Sequence, residues 1–554
     1  MSSELNFLNK AKQSNQPKTV VTNKRYSLIE DIAVNLIAIL VLLAFGYIAV
    51  MSFIQTSVID PTQYANETIL YQADLIALNL FFTALFVFVL FRLKKYYDFF
   101  AKVNIKYMEI GIAVYAIVLG LIWIFSVTSV PNTDSQNLFE AATKSAAGDY
   151  SFLKNGSDFY NNAYFSGYSY FNFYPFQLGY VLVSEIVYRI FGTASSMPMQ
   201  VINVLCLGAA YFGIARITKL LFKRRSVEFI AILLLAGCIQ PILFCTFAYG
   251  NIIGMCCAIW ASCFLIKYFQ TGNYFSLLPC GLLLVLSVFV KYNNMIYVIA
   301  FMMMLAVHTI KKKKWQSIAF ALAICIASLG SIQLVIMSYE KRGDVELSDG
   351  ISQVLYLDLG LSESSMAPGW YSSVAKDTYT ANMLDSEASK AQGRQSVSLK
   401  LDNFSKDLGY TIDFFSKKIL SQWNEPTYES IWVSKVKEHS SEINGIGNSV
   451  YNKSLGQLLE LHFNFYMQIL FSLFAIGICI LIIKKQTNIQ TVLLPLVLLG
   501  GFGYHLLFEA KSQYILTYII LMIPTAAYSL NSILNGKYTK LKKLIGEIEY
   551  IPEK

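Results

Sequence analysis

The sequence predicts an all-α integral membrane protein, and three observations carry that reading. Of its 554 residues, 55% are hydrophobic and only 14% charged, with a mean hydropathy of +0.49, too few charges for a water-soluble chain of this length. Apolar stretches long enough to cross a bilayer recur from near residue 32 to near residue 533. Lys and Arg gather in short clusters between alternate stretches, the distribution that a cytoplasmic face produces.

The stretches fall near 32–54, 74–91, 109–130, 200–220, 226–244, 251–269, 274–290, 294–310, 316–338, 464–484, 489–508 and 513–533, about twelve helices in all. The basic clusters are the tail before 32, FRLKKYYDFFAKVNIK, Lys223-Arg224-Arg225, Lys311 to Lys314, Lys484-Lys485 and GKYTKLKK. All fall on one side if the helices alternate, which places both termini in the cytoplasm of a multi-pass plasma-membrane protein. The segment LGYVLVSEIVYRIFG is apolar as well, but counting it as a span would reverse every later cluster. It also carries Glu185 and Arg189 on adjacent turns of one face. It reads as an amphipathic or re-entrant helix on the outer surface. The N-terminus is polar and basic with no small-residue cleavage site, so it reads as a retained cytoplasmic tail.

This divides the chain into a basic tail (1–31), an extra helix pair (32–108) and a transmembrane core (109–338) that includes a large outer loop at 131–199. A second outer region (339–463), C-terminal helices (464–533) and a cytoplasmic tail (534–554) complete it. The nine cysteines lie in or beside helices, and neither large loop holds one. No disulfide framework or thiolate zinc site follows, and the disulfide-free loops fit a bacterial surface. The helix middles hold essentially no ionisable residue: Asp31, Asp74, Glu109 and Glu228 are at ends, and His308 is near the inner end of its helix. That pattern disfavours an ion-coupled transporter. The basic clusters are accounted for by topology, so no nucleic-acid partner is expected.

The first outer loop is the richest in reactive types. Asp134 stands a few residues beyond the end of an apolar helix. It is followed by Gln136, by Asp149 in GDYS and by Tyr174 and Gln177 in the turn YPFQ. Asp149 is as well suited to a turn as to chemistry. Glu140, six residues after Asp134, belongs to a different helical face. Two cations interrupt the positive-inside trend at outer turns, Lys291 in KYNN and Lys511 in HLLFEAKSQY, the latter flanked by Glu509 and Tyr514. A cation at a bilayer surface is placed to pair with a phosphate. Lys341 and Arg342 read instead as cations snorkelling to ordinary anionic lipid. His505 and Glu509, four apart, can share a helical face as two candidate metal ligands. A divalent metal is therefore possible, but none is required. The loop QTSVIDPTQYANETILYQA has no functional reading from sequence.

Four pieces in order, TDSQNLFEAA with Asp134, GDYSFL, YPFQLG leading into a helix ending RIFG, and HLLFEAKSQY, resemble the GT-C superfamily of membrane glycosyltransferases. The likeness is greatest to bacterial members related to protein O-mannosyltransferases and aminoarabinose transferases. It covers about 109–533. It implies that a sugar is taken from a polyprenyl-phosphate carrier, such as undecaprenyl phosphate, and transferred on the extracytoplasmic side to a cell-wall glycopolymer, glycolipid or protein. Membrane lipid is the surrounding partner. The family's acidic residue of the first outer loop corresponds to Asp134, although here Ser135 follows it where protein mannosyltransferases have a second acid. Gln513 stands where related bacterial proteins often have Arg.

The chemistry asks for the same types. A general base within reach of the acceptor hydroxyl suits Asp134, with Asp149 as second candidate. Lys511, Tyr514 and Lys291 suit the departing phosphate, and a single displacement would invert the anomeric centre. Gln136, Gln177, His505 and Glu509 are candidates for holding substrate, with Tyr174 and Trp370 as rings on which a sugar could stack. The remaining aromatics read as interfacial. The rival class is a flippase or transporter of lipid-linked saccharides, which paired inverted repeats would favour.

Overall fold

The computed structural model describes residues 24–93, 104–157, 164–312, 315–435 and 443–545. Residues 1–23 of the basic N-terminal tail, most of FRLKKYYDFFAKVNIK, Lys313-Lys314 and the final EIEYIPEK lie outside the described residues, and the rest of the tail, 24–31, belongs to the first helix.

The chain runs α1 (Lys24–Met51), β1 (Gln55–Ile59), β2 (Ile69–Ala73), α2 (Ile76–Leu93), α3 (Ile105–Val127), α4 (Thr133–Ala146) and α5 (Leu178–Phe191). It continues with α6 (Met197–Phe222), α7 (Arg225–Gly237), α8 (Gln240–Leu243), α9 (Asn251–Thr271), α10 (Leu277–Val290), α11 (Met295–Lys312) and α12 (Gln316–Gly343). Helices α13 (Gln353–Gly360), α14 (Val374–Ala381), α15 (Ser386–Lys406), α16 (Leu408–Trp423), α17 (Trp432–Lys435) and α18 (Gly445–Asn452) make the second loop region. Last come α19 (Ser454–Ile483), α20 (Leu493–Leu507), α21 (Ser512–Ile519) and α22 (Ile523–Ile545).

By length and composition, eight helical segments can cross a membrane among the described residues, and a ninth can if α7 and the segment after it, bent by 48°, form one span. The protein is therefore multi-pass and helical. Three expected spans, α2, α10 and α20, are apolar but shorter, so the expected number of about twelve is not reached on length alone. The segment α5 is a separate helix of 14 residues, and Glu185 and Arg189 are ion-paired on it at 2.8 Å. Charges at the ends of spans also find partners: Glu109 lies 3.3 Å from Arg216, and Lys219 3.6 Å from Glu228.

One element departs from all-α. The loop between α1 and α2 folds into an antiparallel hairpin with Gln55 opposite Ala73 and Ile59 opposite Ile69. Asp60 starts its tip by accepting from the Thr62 N–H and hydroxyl, an Asx turn. The hairpin is docked on the second loop region: Ser57 N donates to Asn424 O at 2.9 Å, Ile69 N to Met366 O at 2.9 Å, and Trp432 Nε1 to Tyr64 O at 2.7 Å. The added backbone partners explain why a sequence that looked like a plain connection becomes ordered strand.

The two large loops share one apolar core. Leu138, Phe152, Phe171 and Val181 of the first bury against Leu355, Leu359 and Tyr379 of the second and against Tyr339 of α12. Three helices of the second loop region start on side-chain caps. Asp385 accepts from Ala388 N, Asp407 from Tyr410 N, and Asn444 from Ile446 N. The core therefore brings both loop regions over the same ends of the spans, where the candidate residues meet.

Candidate active site

Asp134 lies in the first turn of α4, where the partial positive charge of a helix start favours a carboxylate. The turn is fixed from both sides. Asn132 N donates to Ser135 Oγ at 2.9 Å, and Asn132 Nδ2 donates to Val433 O of the second loop region at 3.2 Å. Thr133, a β-branched residue directly before the acid, sits at φ 43°, a left-handed geometry that such residues rarely adopt. Leu138, Ala141, Ala142 and Ser145 are among the buried positions that seat the helix.

The Asp134 side chain is reached by solvent, yet protein atoms surround it closely enough for desolvation to act on its carboxylate. Burial raises its pKa. The charges of Lys511 and Lys291 and the Tyr249 hydroxyl pull it down, Glu67 opposes them, and the net direction is upward. Tyr249 donates to Asp134 Oδ2 at 3.2 Å and itself receives a 2.6 Å bond from Gln177 Nε2. Lys291 Nζ rests 3.9 Å from the centre of the Tyr249 ring, a cation–π contact. That approach requires Gly250: a Cβ there would stand 2.3 Å from Val290 O, and the residue has φ +83°. Desolvation lowers Lys291 to about 7, against the attraction of Asp134 and Glu509. A small recess beside it is lined by Asn251, Lys291, Asn293, Asn294, Tyr514 and Thr517.

Glu509, on the turn between α20 and α21, accepts from Tyr514 OH at 3.2 Å. Burial raises it to about 7, against the pull of Lys511 and Tyr514. Lys511 lies on the same turn. Its ammonium is 2.6 Å from Glu67 Oε2 and 3.5 Å from Glu429 Oε2, above the Trp432 ring. Tyr174 is half-buried among Tyr170, Phe165 and Phe176; burial raises its hydroxyl well above the ordinary value, and Tyr356, Tyr371, Asp134 and Glu509 push it the same way. The expected Asp134, Gln177, Lys291, Tyr514, Glu509 and Tyr174 are thus brought together from sequence separations of up to hundreds of residues.

Other candidates stand differently. Asp149 is exposed and accepts from Ser151 N at 2.8 Å, which makes it a turn former and not a partner of Asp134. Gln136 is half-buried on α4, two residues beyond Asp134. Trp370 cannot stack on a ligand: it is wholly buried with Ala510 and Ile69, and its indole N–H donates to Ser421 Oγ at 2.8 Å. His505 is buried against Tyr514, and its Nδ1 is 2.9 Å from the backbone oxygen of Glu509. The helical pair therefore does not converge on one point as metal ligands. Among the described residues no group of three or more His, Cys, Asp or Glu is placed to hold a metal. Arg342 does not snorkel to lipid but pairs with Glu185 at 3.1 Å.

Sequence reading missed four residues. Tyr249 was one aromatic among many, and Glu67 lay in a loop without a reading. Glu429 lies among the aromatics of the second outer region, which read as interfacial. Lys418, buried, donates to the carbonyls of Gly360 and Phe508 and so fastens the turn that carries Glu509 and Lys511. No local signal marks any of them, because each acquires its partner only through the fold.

A mostly helical, multi-pass chain with a cluster of polar and charged residues under two joined loop regions is the class that fold and site define. Residues 178–331 match the family described as Dolichyl-phosphate-mannose-protein mannosyltransferase, so the resemblance to the GT-C membrane glycosyltransferases rests on a second, independent observation. No curated protein matches the chain. Among solved structures, the chain is similar to the oligosaccharyltransferase of Archaeoglobus fulgidus, in a complex with Zn and sulfate. Identity is 12% and the TM-score 0.39, over 79% of this chain and 50% of that one, so the match spans only half of that protein. It is also similar to ArnT of Cupriavidus metallidurans, bound to undecaprenyl phosphate, at 10% identity and TM-score 0.31, over 79% of this chain and 80% of that one.

Proposed function

We propose that this protein is a membrane glycosyltransferase that moves a sugar from a polyprenyl-phosphate carrier, of the undecaprenyl-phosphate kind, to an extracytoplasmic hydroxyl acceptor on a cell-wall glycopolymer, glycolipid or protein. The observation that carries this reading is a carboxylate, Asp134, joined to a cation, Lys291, through Tyr249, whose hydroxyl bonds the one and whose ring meets the other.

In this reading Asp134 takes the proton of the acceptor hydroxyl as its oxygen attacks the anomeric carbon. The bond from that carbon to the carrier phosphate breaks, and the phosphate leaves with one more negative charge than it had as a diester. Attack opposite to the leaving group inverts the anomeric centre. Lys291 faces the developing charge, with Asn251, Asn293, Thr517 and Tyr514 as neutral donors in the adjoining recess. A cation lowered to about 7 by desolvation regains its proton when a phosphate enters, so donor binding and charging of Lys291 support each other. Tyr174 and Gln177 border the space a sugar ring would take.

The test is transfer of radiolabelled sugar from a panel of undecaprenyl-phosphate sugars into cell-envelope extract, by wild type and Asp134→Asn at matched folding. Transfer by the wild type and its loss in the variant is the expected result. Transfer that survives in Asp134→Asn removes the acid as base. Passage of lipid-linked saccharide across proteoliposomes without any transfer replaces the transferase with the flippase.

A further inference from the structure

Lys511 is held in a way that a phosphate ligand would not be. Its Nζ lies between Glu67, at 2.6 and 2.8 Å from the two oxygens, and Glu429 at 3.5 Å. All three side chains are almost fully removed from solvent. Both acids are fixed independently of the lysine. Glu429 Oε1 accepts from Ser512 Oγ at 3.0 Å and from Gln513 N at 3.3 Å at the start of α21. Glu67 stands at φ 54° on the tip of the β1–β2 hairpin, whose backbone is bonded to the second loop region. The ammonium therefore donates to Glu67 and is ion-paired with Glu429 on another side. An anion arriving at Nζ would meet two carboxyl groups already at close range.

Converging carboxylate oxygens from separate segments are the donor type that a hard divalent cation takes. Here the cation between them belongs to the chain. The residues do not fit a metal while Lys511 occupies that point. Lys511 nevertheless acts on the catalytic carboxylate, since it is the foremost charge favouring the ionised form of Asp134.

We propose that Lys511 is a built-in counter-cation, occupying the point where Glu67 and Glu429 would otherwise collect a divalent metal, and that it serves the site through its fixed charge and not by touching the donor phosphate. The role given to Asp134 rests on the proposed function; the placement of the cation does not. The extra N-terminal helix pair thereby acquires a use, because its hairpin supplies one of the two acids.

The experiment uses the full chain in detergent, with Mn2+ as probe, read by electron paramagnetic resonance of free Mn2+ and by thermal melting with and without Mn2+ or EDTA. The wild type is expected to bind no Mn2+ at millimolar concentration and to melt at the same temperature in all three conditions. Lys511→Met is expected to bind one Mn2+ at least about tenfold more tightly than the wild type, with a matching rise in Tm. Adding Glu429→Gln is expected to abolish that binding, and Lys511→Arg to behave as wild type. One Mn2+ bound by the wild type, or a wild-type Tm raised by Mn2+, overturns the proposal, and this arm needs no variant to fold. A folded Lys511→Met that binds none also overturns it. Sugar transfer enters none of these readouts, so an inactive protein with the expected Mn2+ response defeats the transferase alone, and an active one whose wild type binds Mn2+ defeats the counter-cation alone.

Discussion

Two carboxylates serve the two ends of α4, and they are treated oppositely. At the C-terminal end Glu185 receives Ser145 Oγ and Tyr339 OH, each at 2.5 Å, and the guanidinium groups of Arg189 and Arg342. Burial alone would raise it, but these bonds and charges outweigh burial and hold it below its ordinary value. At the N-terminal end Asp134 has the single bond from Tyr249, and burial wins, so it is raised. A carboxylate with every lone pair engaged fastens α4 to α5 and α12. One left short of partners where desolvation acts is poised to take a proton.

The contrast breaks most visibly at Asp134. Asp134→Asn is expected to lower kcat by about 10²- to 10⁴-fold, while Tm stays level or rises, because a raised acid in the folded state costs stability when ionised. Lys291→Met should come next, with kcat/KM for the lipid donor down by about 10²-fold, the typical cost of one donor aimed at developing charge. Steady-state kinetics at several donor concentrations checks both.

Glu185→Gln should do the reverse of Asp134→Asn. It leaves Arg342 without a charged partner and is expected to cost on the order of 2 kcal/mol, seen as a lower Tm, with kcat of the folded fraction little changed. Because the folded Glu185 is depressed, its contribution is present above the unfolded pKa and lost as pH falls, so the Tm gap to the variant should close in acid.

The smallest effect sharpens the comparison by titration. In the wild type, kcat/KM should fall on the acid side as Asp134 takes a proton above the ordinary carboxylate range, and on the alkaline side as Lys291 loses one near 7. Tyr249→Phe removes a bond that lowers Asp134, so the acid limb should move to higher pH while the rate at the optimum falls only about tenfold. An unmoved acid limb would separate Tyr249 from Asp134.

Much of this was legible in the sequence where the signal is local. Apolar length marks helices at all of the expected positions, and Glu185 and Arg189 are four apart, so their pairing follows from helical spacing. Asp134 stands out as an acid just past an apolar helix, and Lys291 as a cation in a tight turn between two. Other residues were illegible or misleading for the same reason: their meaning lies in partners far along the chain. Trp370 looked like a sugar platform because a membrane mouth is where aromatics bind, yet Ile69, Ala510 and Ser421 enclose it. Asp149 looked like a second acid, and the Ser151 N–H two residues on makes it a turn.

What the sequence by itself determined is the solvent: hydropathy over some twenty residues at a time decides which segments leave water, and basic clusters bias which loops stay together. What only the tertiary structure decided is the charge state of the site. Glu67 and Lys511 are 444 positions apart, and Asp134 and Tyr249 are 115 apart. Pairing and desolvation depend on distances of a few ångströms that no local pattern encodes, and those distances set which acid is held by many partners and which by few.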